Sequence, residues 1–182
     1  MELSSLSAMA ARVGLALARY AGPVLNWFSR YNVAKRDHAL VALTIAEQLE
    51  HAAQSWASIG DDNAAALRSD DPHPRLTCAL LPLSAAQPTG DARADRALLP
   101  QHRDLVRHVA DVNQHVDQTA AQNSVEDSFR TLESRADETA VRAWQLADAY
   151  RARFALPAPQ LGGREARIRS AAFDRVTSHA FA

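Results

Sequence analysis

Apolar residues recur at helical spacing through 102–154, the longest stretch of the chain with neither proline nor glycine. Its two parts show steps of three and four residues, as in the seams of coiled coils. Between them, Ser124 and Asp127 resemble a capping box, which predicts a new helix near Val125. That helix should stop before Pro157 and Pro159. The first seam comprises Leu105, Val109, Val112 and Val116, and the second comprises Phe129, Leu132, Ala136, Thr139, Ala143, Leu146 and Tyr150.

Shorter amphipathic patterns lie on both sides of this stretch. An N-terminal stripe breaks at Gly22 and Pro23, and a further helix is predicted from Asn32 to about Ile59, where Gly60 begins a stop signal. A short basic helix is expected after 162–163. The apolar residues of the first two patterns are Leu6, Met9, Val13 and Leu17, and then Val41, Ile45, Leu49, Ala52 and Trp56.

Residues 60–100 lack a helical pattern and contain five prolines. We therefore predict a long irregular connection, with mobile flanks at 61–71 and 87–95. The run from Leu76 to Leu83 is apolar, so it should dock on the helices as a short helix or an extended strap. Cys78 within it is expected to be a small buried side chain.

Together these patterns predict an all-α protein, an elongated bundle of four to five helices with a long Pro-containing connection. Low aromatic content, 6%, and abundant alanine suit helices that approach closely. The length of 182 residues fits one domain. We predict a single bundle domain over 1–160 and a short C-terminal helix or tail over 161–182.

Charge and cysteine content narrow the function classes. The formal net charge of −1 gives no overall attraction to nucleic acid. Lys35 is the only lysine, and we interpret the arginine excess as high-GC bacterial coding bias. A single cysteine excludes an intramolecular disulfide and a Cys-based zinc finger. A cytoplasmic bacterial protein without a nucleic-acid partner is the resulting prediction.

The apolar N-terminal segment raises the question of a membrane. Trp27 and Tyr31, followed by basic residues, resemble an aromatic belt, and peripheral or anchored attachment to the inner membrane through residues 6–31 is the alternative localisation. Arg12 and Arg19 oppose a spanning helix, since each costs ~2.5–3.5 kcal/mol at the bilayer centre. A core helix, an interfacial helix and a spanning helix are the three interpretations of this segment.

Local catalytic motifs are absent from the sequence: GxGxxG, GxxxxGK[ST], HExxH, GxSxG and CxxC do not occur. No cofactor is therefore expected. One helix face carries alternating carboxylates and imidazoles, which could bind zinc, iron or manganese. The stripe extends about 16 Å along the helix, too far to surround one ion. We predict that it borders solvent and holds no catalytic metal. Its residues are Asp104, His108, Asp111 and His115.

Long seams without catalytic motifs favour a non-enzymatic helical interaction or assembly protein: an adaptor, a chaperone or a subunit of a larger complex. Val141 and Trp144 lie off the main seam of their helix, so they are the predicted contact residues for a protein partner or a second copy. Packing of Trp144 under the 76–83 strap is the competing interpretation. A metal-binding bundle, possibly an enzyme, using the Asp104 to His115 stripe is the alternative function.

Overall fold

The computed structural model describes residues 33–69 and 75–179. The chain divides into two compact units between Ala39 and Leu40. Residues 33–39 of the first unit are helical. The second unit contains helix α1 over 40–57, α2 over Ile59–Leu67, α3 over Ala92–Gln122, α4 over Val125–Phe154 and α5 over Gly163–His179. The predicted division of the chain at residue 160 stays a prediction.

The all-α fold is confirmed, since the described parts of the chain contain no strand. Helices α1, α3 and α4 pack against each other as a bundle. The two longest, α3 and α4, have 31 and 30 residues, and the second is therefore about 45 Å long at ~1.5 Å per residue. Local sequence sets the boundary between them: the Ser124 hydroxyl accepts a hydrogen bond from the Asp127 N–H at 3.1 Å. Ser124 was predicted correctly as the cap of α4.

The irregular connection is shorter than predicted at both ends. Residues 60–67 belong to α2 and residues 92–100 to α3, so the expectations of an irregular 60–100 segment and of mobile flanks are wrong there. Asp91 starts α3 by accepting hydrogen bonds from the N–H groups of Arg93 and Ala94. Pro100 stays inside the helix on an exposed face, where water can solvate the carbonyl group of Arg96 that it leaves unbonded.

The core lies where α1, α3 and α4 meet. All four predicted apolar positions of the α3 seam are buried, and so are the predicted α4 positions except Phe129, which is half-buried. Five alanines of α1 are buried in this core. The largest fully buried side chains are Trp56, Trp144, Tyr150, Leu49, Leu80, Leu132, His102 and Thr139.

Residues 75–86 form an extended strap, a segment without helix that lies against the bundle. This confirms the second of the two predicted forms of the 76–83 run. Leu80 is its buried anchor, with 1% of its surface exposed. Cys78 is exposed, so the prediction that it is buried is wrong. A bend at residue 79 separates Cys78 from the buried Leu80, so the two side chains do not share one face, and the apolar pattern of the segment did not reveal this bend.

Residues 6–31, where membrane contact was considered, lie outside the described residues. Among the helices that are described, none is both long enough and apolar enough to cross a bilayer.

Candidate functional site

Val141 and Trp144, the predicted contact residues, are buried with 6% and 1% of their surfaces exposed. The prediction that they are exposed is wrong because α4 has a second buried stripe beside its seam, and α5 packs against α4. The strap does not take this place, since its hydrogen bonds go to side chains of α1, α2 and α3. A role of the two residues in binding a partner stays a prediction.

Aromatic and cationic groups of α5 surround Trp144. The Phe173 ring stacks on the indole with a centroid separation of 6.0 Å and an angle of 26° between the ring planes. The Arg169 guanidinium carbon lies 5.8 Å from the centroid of each ring. Offset ring stacking and cation–π attraction are each worth about 0.5–1.5 kcal/mol. The face of α4 around Trp144 therefore contacts an arginine and an aromatic residue that lie four positions apart on α5.

Arginines of α5 pair with aspartates of α4 on either side of these rings. Arg169 donates to Asp148 at 2.7 Å, and Arg175 donates two hydrogen bonds to Asp137 at 2.6 and 2.7 Å. The bond to Asp137 raises the pKa of Arg175 above its ordinary value. Such partly exposed pairs contribute about 0–1 kcal/mol each and weaken with salt. The two helices are thus matched in charge as well as in apolar shape.

The apolar part of the α5 contact is small. Ala172 is its fully buried residue, while Ile168, Phe173 and Val176 are only half-buried. The connecting residues 155–162 include two prolines and end on Gly162. A helix attached by a few half-buried side chains and by surface ion pairs has a low local unfolding free energy, so α5 belongs to the easily opened part of the fold.

A cavity of about 460 Å³ lies beside this face, between α1, α4 and residues 157–161. Trp144 and Leu43 contribute apolar walls, and Glu50, His51 and Arg151 contribute polar ones. The guanidinium of Arg151 donates two hydrogen bonds to Glu50, at 2.6 and 2.7 Å. The exposed fractions of the two side chains are only 9% and 12%. Arg151 also donates to the Pro157 carbonyl oxygen, so this cation joins α1, α4 and the segment that leads to α5.

Glu50 corrects one sequence interpretation. Glu47, Glu50 and His51 were expected to form a solvated polar face, and Glu47 and His51 are indeed exposed. Glu50 instead lies at the edge of the helix interface, where Arg151 meets it and has its pKa raised chiefly by that hydrogen bond. Because the two residues are 101 positions apart, no local pattern indicated the pair. Its groups bind each other, which makes the pair structural.

The four residues of the predicted metal stripe have different surroundings. Asp104 pairs with Arg107 at 2.6 Å, and Asp111 and His115 are exposed. His108 is half-buried and does not simply border solvent as predicted: its Nε2 lies 3.2 Å from the Thr139 hydroxyl of α4. Among the residues that the structure describes, no three His, Cys, Asp or Glu side chains come together as a metal site would require. The metal-binding alternative stays a prediction.

Two histidines of α3 should make stability depend on pH. Burial lowers the pKa of His102 below 6.5, although its Nε2–H bond to the Ser84 carbonyl acts in the opposite direction. Burial, followed by the nearby Arg142, lowers the pKa of His108 as well. Below pH 6.5 the unfolded chain then binds protons that the folded chain excludes. The free energy of unfolding should therefore fall on acidification, by at most about 1.4 kcal/mol per pH unit for each histidine.

Urea unfolding at several pH values between about 7.5 and 5 checks this expectation. The double variant His102→Gln, His108→Gln should flatten the pH dependence, whereas His115→Gln, at an exposed position of the same helix, should leave it unchanged. An equally steep profile in the double variant would assign the dependence to other groups.

No protein-family model matches the sequence, and neither a curated protein nor a solved structure matches it at a significant level.

Proposed function

We propose that this chain is a non-enzymatic helical assembly protein, and that the α4 face around Val141 and Trp144 receives the α5 helix of a second copy. One observation carries the proposal: α5 occupies this face with a matched set of groups, two arginines on two aspartates around an aromatic stack. Exchange of an identical element between copies is a low-cost route to dimers. The same contacts then form between chains instead of within one.

The connection to α5 supports such an exchange. Residues 155–162 are not helical, and a Cβ atom added at Gly163 would meet no atom within 4 Å, so the start of α5 has space to change direction. The contacts that α5 loses on leaving its own chain are regained on the partner chain. Exchange therefore costs mainly the entropy of association, which a high protein concentration offsets.

Charge reversal offers a test in which charge-matched contacts between α4 and α5 form only between different chains. One variant, Asp137→Arg with Asp148→Arg, has a basic α4 face. The other, Arg169→Glu with Arg175→Glu, has an acidic α5. Each variant repels its own α5, but a mixture pairs the basic face with the acidic helix and the acidic face with the basic helix.

We expect the mixture to form a one-to-one complex in sedimentation velocity. Each variant alone should self-associate at least about tenfold more weakly than the two variants associate in the mixture, a difference of about 1.4 kcal/mol in binding free energy. A matched control reverses the exposed pair within α3, Asp104→Arg in one chain and Arg107→Glu in the other, and each control chain should self-associate as the wild type does, with no preference for the mixture. Absence of a complex between variants that are folded by circular dichroism would refute the proposal.

A cytoplasmic location and a bacterial origin complete the proposal, and both come from composition. Binding of a helix from a different protein is the other outcome of the same experiment. In that case the reversed-helix variant exposes Trp144 without dimerising in the mixture, and a synthetic peptide of residues 163–179 binds to it.

A further inference from the structure

Side chains from three helices bind the main chain of the strap rather than its side chains. Asn63 of α2 and Asn113 of α3 each contact a strap residue through both atoms of the side-chain amide. The Asn63 Nδ2 donates to the Thr77 carbonyl at 3.0 Å, and the Thr77 N–H donates to Asn63 Oδ1 at 2.7 Å. Asn113 binds the N–H and the carbonyl of Leu80 in the same way, at 2.8 and 3.0 Å.

Each asparagine thus reproduces the reciprocal pair of hydrogen bonds that two residues exchange between antiparallel strands. The two clamped strap residues are three positions apart. Further along the strap, the Trp56 indole N–H donates to the Leu81 carbonyl at 3.1 Å. The His102 Nε2–H donates to the Ser84 carbonyl at 2.9 Å. Four side chains on α1, α2 and α3 therefore recognise one extended backbone.

The strap contributes one buried side chain and two half-buried ones that pack against the core, Leu83 and Ala86. Between residues 75 and 86, all of which the structure describes, only Leu80 is buried. Cys78, Ala79 and Leu81 are exposed, Leu81 with 49% of its surface. Peptide grooves of this kind derive affinity from main-chain hydrogen bonds and specificity from a pocket for one side chain. Here that pocket takes an aliphatic side chain.

Without an extended chain in the groove, its buried polar side chains would lack hydrogen-bond partners. Asn63 is 5% exposed and His102 is 2% exposed, and both side chains form hydrogen bonds with main-chain groups of the strap. A buried amide or imidazole that loses its partner is costly. The groove is therefore built for a peptide main chain.

We propose that the groove formed by Trp56, Asn63, His102 and Asn113 is a binding site for an extended peptide segment of another protein. The strap is its resident occupant. The segment that fits has free N–H and carbonyl groups at the positions of Thr77 and Leu80, and an aliphatic residue at the second of these positions. Its side chains need no particular charge, because none of the four groove contacts involves a carboxylate, guanidinium or ammonium group.

The resident strap competes with an incoming segment at the effective concentration of a tethered ligand, typically millimolar. A variant that weakens the strap alone should open the groove. Leu80→Asp serves this purpose in the full chain, because it removes the anchor and leaves the groove side chains intact. The site uses none of the α4 and α5 residues on which helix exchange depends, so each proposal can fail without the other.

The probe is a fluorescently labelled synthetic peptide of residues 75–86 with serine in place of Cys78. By fluorescence anisotropy, we expect it to bind Leu80→Asp at least tenfold more tightly than it binds the wild-type chain. A peptide with a scrambled sequence that keeps leucine at the positions of Leu80 and Leu83, and proline at the position of Pro82, should bind within about threefold of the original. A peptide carrying aspartate at the anchor should bind at least tenfold more weakly.

Backbone methylation separates main-chain recognition from apolar adsorption. N-methylation at Leu80 removes the N–H that Asn113 binds and should lower the affinity of the peptide at least tenfold. N-methylation at Ala79, whose N–H has no partner in the groove, is the control. In the Leu80→Asp chain, Asn113→Ala should abolish binding and the exposed Gln114→Ala should not change it. Equal binding of both methylated peptides, or binding that survives Asn113→Ala, would overturn the proposal.

Folding of the opened chain is checked by circular dichroism. If Leu80→Asp is unfolded, Leu80→Ala, which only shortens the anchor, replaces it with the same expected outcomes. A folded variant of either kind that binds no peptide at millimolar concentration would also overturn the proposal.

Discussion

Replacing Glu50 by leucine is expected to lower the free energy of unfolding by about 3 kcal/mol, because it leaves the buried guanidinium of Arg151 without its counter-charge. Loss of one partner from a fully buried ion pair costs about 3–5 kcal/mol. The neighbouring cavity reduces the burial of this pair, which places the expected loss at the lower end. Urea unfolding followed by circular dichroism measures it.

Two further variants show whether the loss comes from an unpaired charge. Glu47→Leu, one turn earlier and exposed, should change stability by no more than about 0.5 kcal/mol. In the double variant Glu50→Leu, Arg151→Met both charges are gone, and most of the lost stability should return. A loss below about 1 kcal/mol in Glu50→Leu itself would show that the pair behaves like a surface ion pair.

Local patterns were sufficient to predict the helices. The α3 seam, which is buried, could be predicted because a 3.6-residue period involves only neighbouring positions. The cap of α4 could be predicted because the Ser124 hydroxyl reaches an N–H only three residues away. Pro100 shows where local reasoning fails. It was taken as a helix boundary, yet α3 continues through it since the surrounding helix is stabilised by burial of Leu98, Leu99 and Leu105.

The candidate sites depend on contacts between distant positions, and these were not predictable from local sequence. Asn113 looks like an ordinary polar residue on a helix until the strap, 33 positions away, places Leu80 against its amide. The sequence around Arg151 does not indicate that this residue pairs with Glu50. Trp144 was correctly placed off the main seam, but only the position of α5 shows that a second helix covers it.

Replacing Trp144 by alanine is expected to lower the free energy of unfolding by about 3–5 kcal/mol and to loosen α5. The indole is 1% exposed, so its removal leaves a cavity. It also deprives Phe173 and Arg169 of the surface that they contact. Trp144→Phe keeps an aromatic ring opposite Phe173 and should lose less than half as much.

Hydrogen exchange distinguishes a general loss of stability from release of α5. In Trp144→Ala, amides of α5 should exchange faster than those of α3 under conditions in which the protein is folded, because α5 has the smaller buried surface. A double-mutant cycle between Trp144→Ala and Phe173→Ala should give a coupling of about 0.5–1.5 kcal/mol for the stacked pair. Zero coupling, with α5 exchange unchanged in Trp144→Ala, would mean that other contacts hold α5 on α4, and the face around Trp144 would then lose its place as the helix-binding surface.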